Sequence, residues 1–175
     1  MLNILAQRGV SMIEMVITLV ISALLLSLAV PSFKIMLANA QIRTAAQALH
    51  DGLQLARVEA IRRNERIRFT KGPSSDWAVT ADGSGAALQS KPTNEGAASA
   101  TVAVIPSAAT QVTFNAMGRV TANTDATASV TQMDIDVPTS LISASDSKRR
   151  RIVVTSGGSI RICDPNMATG IGAGC

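Results

Sequence analysis

The feature that most constrains this chain is a long apolar run near its start. Residues 10–30 hold a single ionisable side chain, Glu14, which lies five residues after Gly9. About 20 apolar residues can cross a bilayer as one helix. A carboxylate inside such a helix costs roughly 2.5 to 3.5 kcal/mol on insertion scales, so it usually has a partner and a task. The run therefore predicts a membrane helix with one functional acid.

A cut after Gly9 would supply that partner, because it gives Val10 an amine that can pair with Glu14 of a neighbouring copy. Three plainer interpretations compete with this one. A secretory signal would have a shorter apolar region and a small-residue cleavage site. A simple single-pass anchor fits the length but leaves Glu14 unexplained. A buried soluble helix would show a polar face, which this run lacks.

The start of the chain resembles the type III signal of type IV prepilins and type II secretion pseudopilins. Residues 8–14 carry the resemblance and read Arg8-Gly9-Val10-Ser11-Met12-Ile13-Glu14. It implies that a prepilin peptidase cleaves after Gly9 and methylates Val10, and that Glu14 is the assembly glutamate. Val10 stands where the family usually has phenylalanine, and Ser11-Met12 replaces its usual Thr-Leu.

The helical pattern continues past the apolar run. Pro31 lacks a backbone donor and is expected to kink the helix rather than end it, because the pattern resumes beyond it. One helix is therefore expected over residues 10–64, with Glu59 and Arg63 paired one turn apart. The resumed pattern has one apolar face, formed by Ile42, Ala45, Leu49, Leu53, Ala56 and Ala60.

After residue 64 the apolar period becomes two, which predicts strands. Residues 81–100 are rich in small and polar side chains and are expected to form a mobile surface loop. A helix followed by consecutive strands indicates an α+β fold. The predicted strands are residues 67–70, 77–80, 101–105, 111–114, 133–137, 151–155 and 159–163, the last two joined by a hairpin at Ser156-Gly157-Gly158.

Later motifs resemble the GspH/FimT family of minor pilins and pseudopilins. Residues 53–64 resemble its helix end, and residues 114–119 and 150–154, with a glycine-containing turn after them, resemble its later strands. The resemblance implies a type IV pilin-like fold with four parts. These are a leader at residues 1–9, a transmembrane or filament-core helix at 10–30, an amphipathic helix at 31–64, and a β-rich domain at 65–175.

The same resemblance implies partners and a location. The partners are other minor and major pilins, the prepilin peptidase, the inner-membrane assembly platform, and membrane lipid before assembly. The chain is expected to span the inner membrane once, with a periplasmic C-terminal domain, and then to enter a pilus or pseudopilus fibre.

Cys163 and Cys175 are the two cysteines of the chain. In an exported domain they predict a disulfide, and a loop of that size is stabilised by about 3 kcal/mol in the chain-entropy model. Free cytosolic thiols are the alternative. Such a C-terminal bridge resembles the pilus-associated FimT and FimU proteins more than secretion-system GspH proteins.

Catalytic chemistry has little support in the sequence. His50 is the single histidine and is expected to be an ordinary helical residue. One histidine and two distant cysteines do not provide a tetrahedral zinc site. We therefore expect no enzyme activity, no metal and no cofactor.

A basic cluster is the remaining candidate site, and it is formed by Lys148, Arg149, Arg150, Arg151 and Arg161. A formal net charge of +4 permits binding to nucleic acid, but 2% aromatic residues leave almost no platform for stacking bases. FimT proteins implicated in DNA uptake look similar here, although Ser159 stands in place of their first arginine. A solvated strand edge is the alternative interpretation.

These observations favour a minor pilin of a type IV pilus that acts by assembly. A GspH-like pseudopilin of a type II secretion system is the second interpretation, and neighbouring genes would separate the two. A DNA receptor for transformation, using the basic cluster, is the third.

Overall fold

The computed structural model describes residues 10–92, 96–167 and 174–175. The chain divides into two compact units, Met1–Lys34 and Ile35–Cys175. Helix α1, Met12–Arg63, begins in the first unit and ends in the second. The described strands are β1 Ile67–Lys71, β2 Trp77–Ala81, β3 Ala87–Lys91, β4 Thr101–Ile105, β5 Gln111–Phe114, β6 Val120–Thr121, β7 Gln132–Asp136, β8 Arg150–Val154 and β9 Ile160–Cys163.

Helix α1 includes Pro31, and its second part is amphipathic as the sequence predicts. All six residues of the predicted apolar face are fully buried. Gly52 lies on the same part of the helix, where glycine normally costs about 1 kcal/mol relative to alanine. A Cβ at this position would lie 2.7 Å from the Trp77 ring and 2.9 Å from Phe69. Glycine therefore allows the helix to pack closely on these two aromatic rings.

The strands form two antiparallel sheets. The first has the order β3-β2-β1-β5-β6 and the second the order β4-β7-β8-β9. Alternate residues of the central strands are buried, including Ile67 and Phe69 on β1 and Met133 and Ile135 on β7. These residues and the buried face of α1 form one hydrophobic cluster. The fold is a long N-terminal helix packed on antiparallel β-structure, as predicted.

The expectation of a loop over residues 81–100 is wrong in part. Strand β3 lies within this range and pairs with β2 after a turn in which Gly85 has a φ of 67°. The side chains of β3 bury little surface, so the apolar pattern that identifies the other strands is absent. Its pairing comes from backbone hydrogen bonds to an adjacent strand, which composition does not reveal.

Two polar residues near the start of the second unit's helix hold long connections. Asn39 Nδ2 donates to the Asp146 carbonyl at 3.0 Å, and Asn39 Oδ1 accepts from the Lys148 amide at 2.8 Å. Gln41 Oε1 accepts from the Ser99 amide at 3.1 Å. The two bonds of Asn39 hold the connection before β8, and the bond of Gln41 holds the connection before β4.

Candidate functional site

The predicted assembly residue lies at the N-terminal end of α1. Glu14 is in the first helical turn, where the helix dipole favours an acid. Its side chain is exposed and makes no ion pair within the described part of the chain. Val10 precedes the helix and is 67% exposed. Gly9 lies outside the described residues, so the roles of Gly9, Val10 and Glu14 stay predictions.

The first part of α1 has the length and composition of a membrane span. Its most apolar 18-residue window has a mean hydropathy of 2.5, and none of that window is buried. Exposed leucine, isoleucine, valine and methionine side chains surround the helix from Met12 to Val30. A helix that is apolar on all sides and has nothing packed on it requires an apolar environment.

The structure pairs two arginines of the basic cluster with aspartates on neighbouring elements. Arg151 on β8 donates hydrogen bonds of 2.6 and 3.0 Å to the two carboxylate oxygens of Asp134 on β7. These hydrogen bonds raise the pKa of Arg151. Arg150 Nη1 lies 3.4 Å from Asp164 Oδ2, just after β9. The charges of these two arginines are therefore largely satisfied within the protein.

The other three cations of the cluster differ in their partners. Arg149 Nε lies 3.8 Å from Asp136 Oδ2. Lys148 and Arg161 are exposed and make no ion pair among the residues that the structure describes. Arg161 lies opposite Val153 on β8, five residues along the chain from Lys148. Within the described residues, the expected cluster therefore consists of three arginine–aspartate pairs and two cations without an ion pair.

The C-terminal end of α1 carries a clamp of opposite charges. Glu59 accepts from Arg62 at 2.6 Å and from Arg63 at 2.7 Å. Hydrogen bonds from Arg62, and then from Arg63, lower the pKa of Glu59 to about 2. The expected pair of Glu59 and Arg63 is present, and Arg62 joins it.

A junction that sequence reasoning missed joins α1 to the tips of both sheets. Arg57 Nε donates to the Gly118 carbonyl at 3.1 Å. A Cβ on Gly158 would lie 1.9 Å from the same carbonyl oxygen, and a Cβ on Gly118 would lie 2.7 Å from Ile61. Both glycines have positive φ, 71° at Gly118 and 83° at Gly158. Only glycine fits at either position, which explains the two glycine turns in the motifs noted above.

The predicted disulfide is present. Cys163 at the end of β9 bonds to Cys175, and the Cys175 amide donates to the Asp164 carbonyl at 3.4 Å. The bridge therefore holds Cys175 beside the end of β9.

His50 lies 3.4 Å from Asp51 on the helix surface. In the described ranges, no group of three or more histidine, cysteine, aspartate and glutamate residues is placed to hold a metal ion.

Comparison with known families identifies the second unit. The sequence model for the family described as Type II transport protein GspH matches residues 45–158, more than half of the chain. The chain belongs to the GspH family. Among curated proteins, none matches this sequence.

Solved structures show the same fold. The type IV minor pilin FimU of Pseudomonas aeruginosa, in a P21 crystal, is 20% identical with a TM-score of 0.54. The match covers 74% of this chain and 92% of FimU. A P65 crystal of FimU gives 20% identity, a TM-score of 0.50, and coverage of 73% and 97%.

As a GspH-family, pilin-like protein, the chain is structural and not an enzyme. Members of this class assemble with other pilins. The first part of α1 is long and apolar enough to cross a membrane, and the second unit has the fold of the FimU structures.

Proposed function

We propose that this GspH-family protein is a minor pilin of a type IV pilus. It is made as a precursor in the inner membrane, cleaved after Gly9 by a prepilin peptidase, and methylated on Val10. An assembly platform then moves it into the pilus or into the complex that initiates the pilus. The leader is residues 1–9, and the membrane and filament helix is residues 10–30. The amphipathic helix is residues 31–64, with Pro31 as the kink between the two helical parts, and the exposed domain is residues 65–175.

Glu14 is the observation that carries this proposal. It is a single exposed acid in an otherwise apolar, unpacked helical segment. No cation of the described chain is paired with it, so a partner from another subunit is required to offset its burial in a membrane or fibre. The Val10 amine of a neighbouring subunit is the cation that cleavage places in the same apolar layer. The FimU fold and the C-terminal disulfide support a pilus rather than a secretion pseudopilus.

Glu14→Val tests this assignment. Removal of a buried charge should leave membrane insertion and cleavage intact. Incorporation into fibres should fall by at least about tenfold, because the contact between Glu14 and the neighbouring Val10 amine is lost. The measurement is the amount of mature chain in sheared fibres relative to the membrane pool. Thr18→Val is the control, since it is a polar to apolar change one turn further along the same helix.

Incorporation of Glu14→Val into fibres at the wild-type level would contradict the assembly role.

A second candidate function is a minor pseudopilin of a type II secretion system, and the family description favours it. Fibres distinguish the two: a pseudopilin would be absent from sheared pili, and its deletion would block protein secretion and leave pili unchanged.

DNA binding in natural transformation is a third candidate. The exposed, unpaired side chains of Lys148 and Arg161 favour it. Arg149, Arg150 and Arg151 contribute less than their number indicates, because each lies next to an aspartate. Any such binding is expected to be weak and independent of sequence.

A further inference from the structure

The two sheets have four edge strands, and three of them have features that prevent pairing with another chain. Strand β3 ends in Lys91 and pairs irregularly with β2. Strand β6 has only two residues. Strand β9 carries the exposed Arg161 and ends at Cys163, whose disulfide holds Cys175 beside it. Charges, irregular pairing, short strands and covering segments are the usual means of protecting a sheet edge.

Among the residues that the structure describes, strand β4 shows none of these protections. It consists of Thr101, Val102, Ala103, Val104 and Ile105, with no charge, proline or glycine. Within the described residues it pairs with β7 alone, so its outer backbone groups have no strand beside them. Such a strand is a template for another strand.

The side chains of β4 are also incompletely covered. Val102 and Val104 pack against the core but are only half-buried. Ala103 is exposed on the opposite face, and Ile105 is 49% exposed. A strand added at this edge would complete the burial of the two valines and cover part of the isoleucine.

We infer that β4 is the docking edge for an extended, uncharged segment of a neighbouring pilin-like subunit. The segment would add a fifth strand to the sheet β4-β7-β8-β9, with backbone hydrogen bonds giving affinity and alternate side chains giving specificity. Small or β-branched residues fit beside Val102 and Val104. This inference rests on the proposed function, because it requires a neighbour in the same assembly.

Interface size favours a membrane-tethered neighbour over a second copy in solution. One added strand of five residues buries much less than the roughly 1,200 to 2,000 Å² of a stable interface. Strand β4 is therefore too small to hold a soluble homodimer by itself. Subunits whose helices lie in the same membrane meet at a high effective concentration, so a small contact is sufficient.

Ala103→Lys tests this edge, and Ala144→Lys is the matched control. Both replace an exposed alanine by lysine, but residue 144 lies in the connection between β7 and β8. A lysine on an edge strand is solvated in the free protein and opposes pairing. We expect Ala103→Lys, made in the full-length chain, to lower the amount of mature chain in sheared fibres by roughly tenfold. Ala144→Lys should leave this amount unchanged.

Hydrogen exchange on the unmodified chain provides a second measurement that does not depend on a variant. The amides of residues 101–105 should exchange roughly tenfold or more slowly in the fibre fraction than in the processed chain held in detergent micelles. The exchange rates of the outer-edge amides of β9 should change less, because Arg161 and the disulfide-held Cys175 oppose pairing with another strand at that edge.

Normal incorporation of Ala103→Lys, or unchanged exchange at residues 101–105, would overturn the inference and leave the proposed function intact. Failure of the proposed function would instead appear as normal incorporation of Glu14→Val. A dimer of the processed chain in micelles that Ala103→Lys dissociates would overturn the choice of a tethered neighbour. Ultracentrifugation at increasing protein concentration detects that dimer.

Discussion

At the scale of single residues, Asp82 connects more of the second unit than its position in the sequence indicates. Its side chain is 3% exposed and lies 3.1 Å from Arg66 Nε. It also pairs with Arg68 and accepts from Thr124 at 2.6 Å. Burial raises the pKa of Asp82, but the hydrogen bonds from Thr124 and Arg68 and the nearby positive charges outweigh it, so its pKa is lowered. One carboxylate thus holds β1, the end of β2 and the connection after β6.

Asp82→Asn is predicted to destabilise the second unit by about 2 to 3 kcal/mol at pH 7, because it removes the charge that two arginines share. A folded-state pKa below the unfolded value means that the stabilisation is complete above about pH 4 and is lost as the pH falls through the folded pKa. The difference in free energy of unfolding between the wild type and Asp82→Asn should therefore become smaller at acidic pH.

Denaturant unfolding of the fragment Ile35–Cys175 at neutral and acidic pH measures this difference in free energy of unfolding. Asp51→Asn is the control, since the Asp51 side chain is 61% exposed and its removal should change stability by less than about 0.5 kcal/mol. An equal loss for Asp82→Asn at both pH values would contradict the linkage to the Asp82 carboxylate.

At the scale of elements, sequence prediction succeeded where burial follows a regular period. The apolar face of α1 and the strands around Phe69, Met133 and Ile152 are buried at the expected spacing. Strand β3 was missed because its pairing is by backbone and its side chains bury little. The aspartates beside the basic cluster were not predicted for a similar reason: Asp134 approaches Arg151 only across two paired strands, which no local sequence pattern shows.

The disulfide at the end of β9 is predicted to stabilise the second unit by about 3 kcal/mol, because it closes a loop with a sequence separation of 12. Reduction of the fragment Ile35–Cys175 should lower its free energy of unfolding by that amount. The Cys163→Ser, Cys175→Ser double variant should match the reduced protein and be insensitive to reductant. Two titratable thiols in the native exported protein would show that the bridge is not formed there.

Strand pairing also limits what β8 and β9 can do with DNA. Two unpaired cations, Lys148 and Arg161, predict a slope of about −2 for log affinity against log salt concentration. Arg161→Gln should reduce the magnitude of the slope by roughly one unit, whereas Arg151→Gln should change it less, since Arg151 is held by Asp134. Fluorescence anisotropy with duplex DNA at several salt concentrations measures the slope. No binding at low salt would leave the basic residues as a solvated sheet surface.

At the scale of the whole molecule, the chain combines two units with different demands on their surroundings. The first, Met1–Lys34, contains the apolar part of α1, which nothing in the described chain covers. The second, Ile35–Cys175, has its own hydrophobic core and a disulfide. We therefore expect a membrane or the helices of other subunits to cover the apolar part of the first unit, which gives a physical reason for the proposed assembly.

Mass spectrometry of the chain in sheared pili tests the central claim most directly, because it reports processing and incorporation together. We predict that the fibre fraction contains a chain that begins at a methylated Val10, and that Gly9→Val leaves only full-length precursor in the membrane. Fibres that lack this chain, or mature chain produced from Gly9→Val, would contradict the assignment as a processed subunit of the pilus.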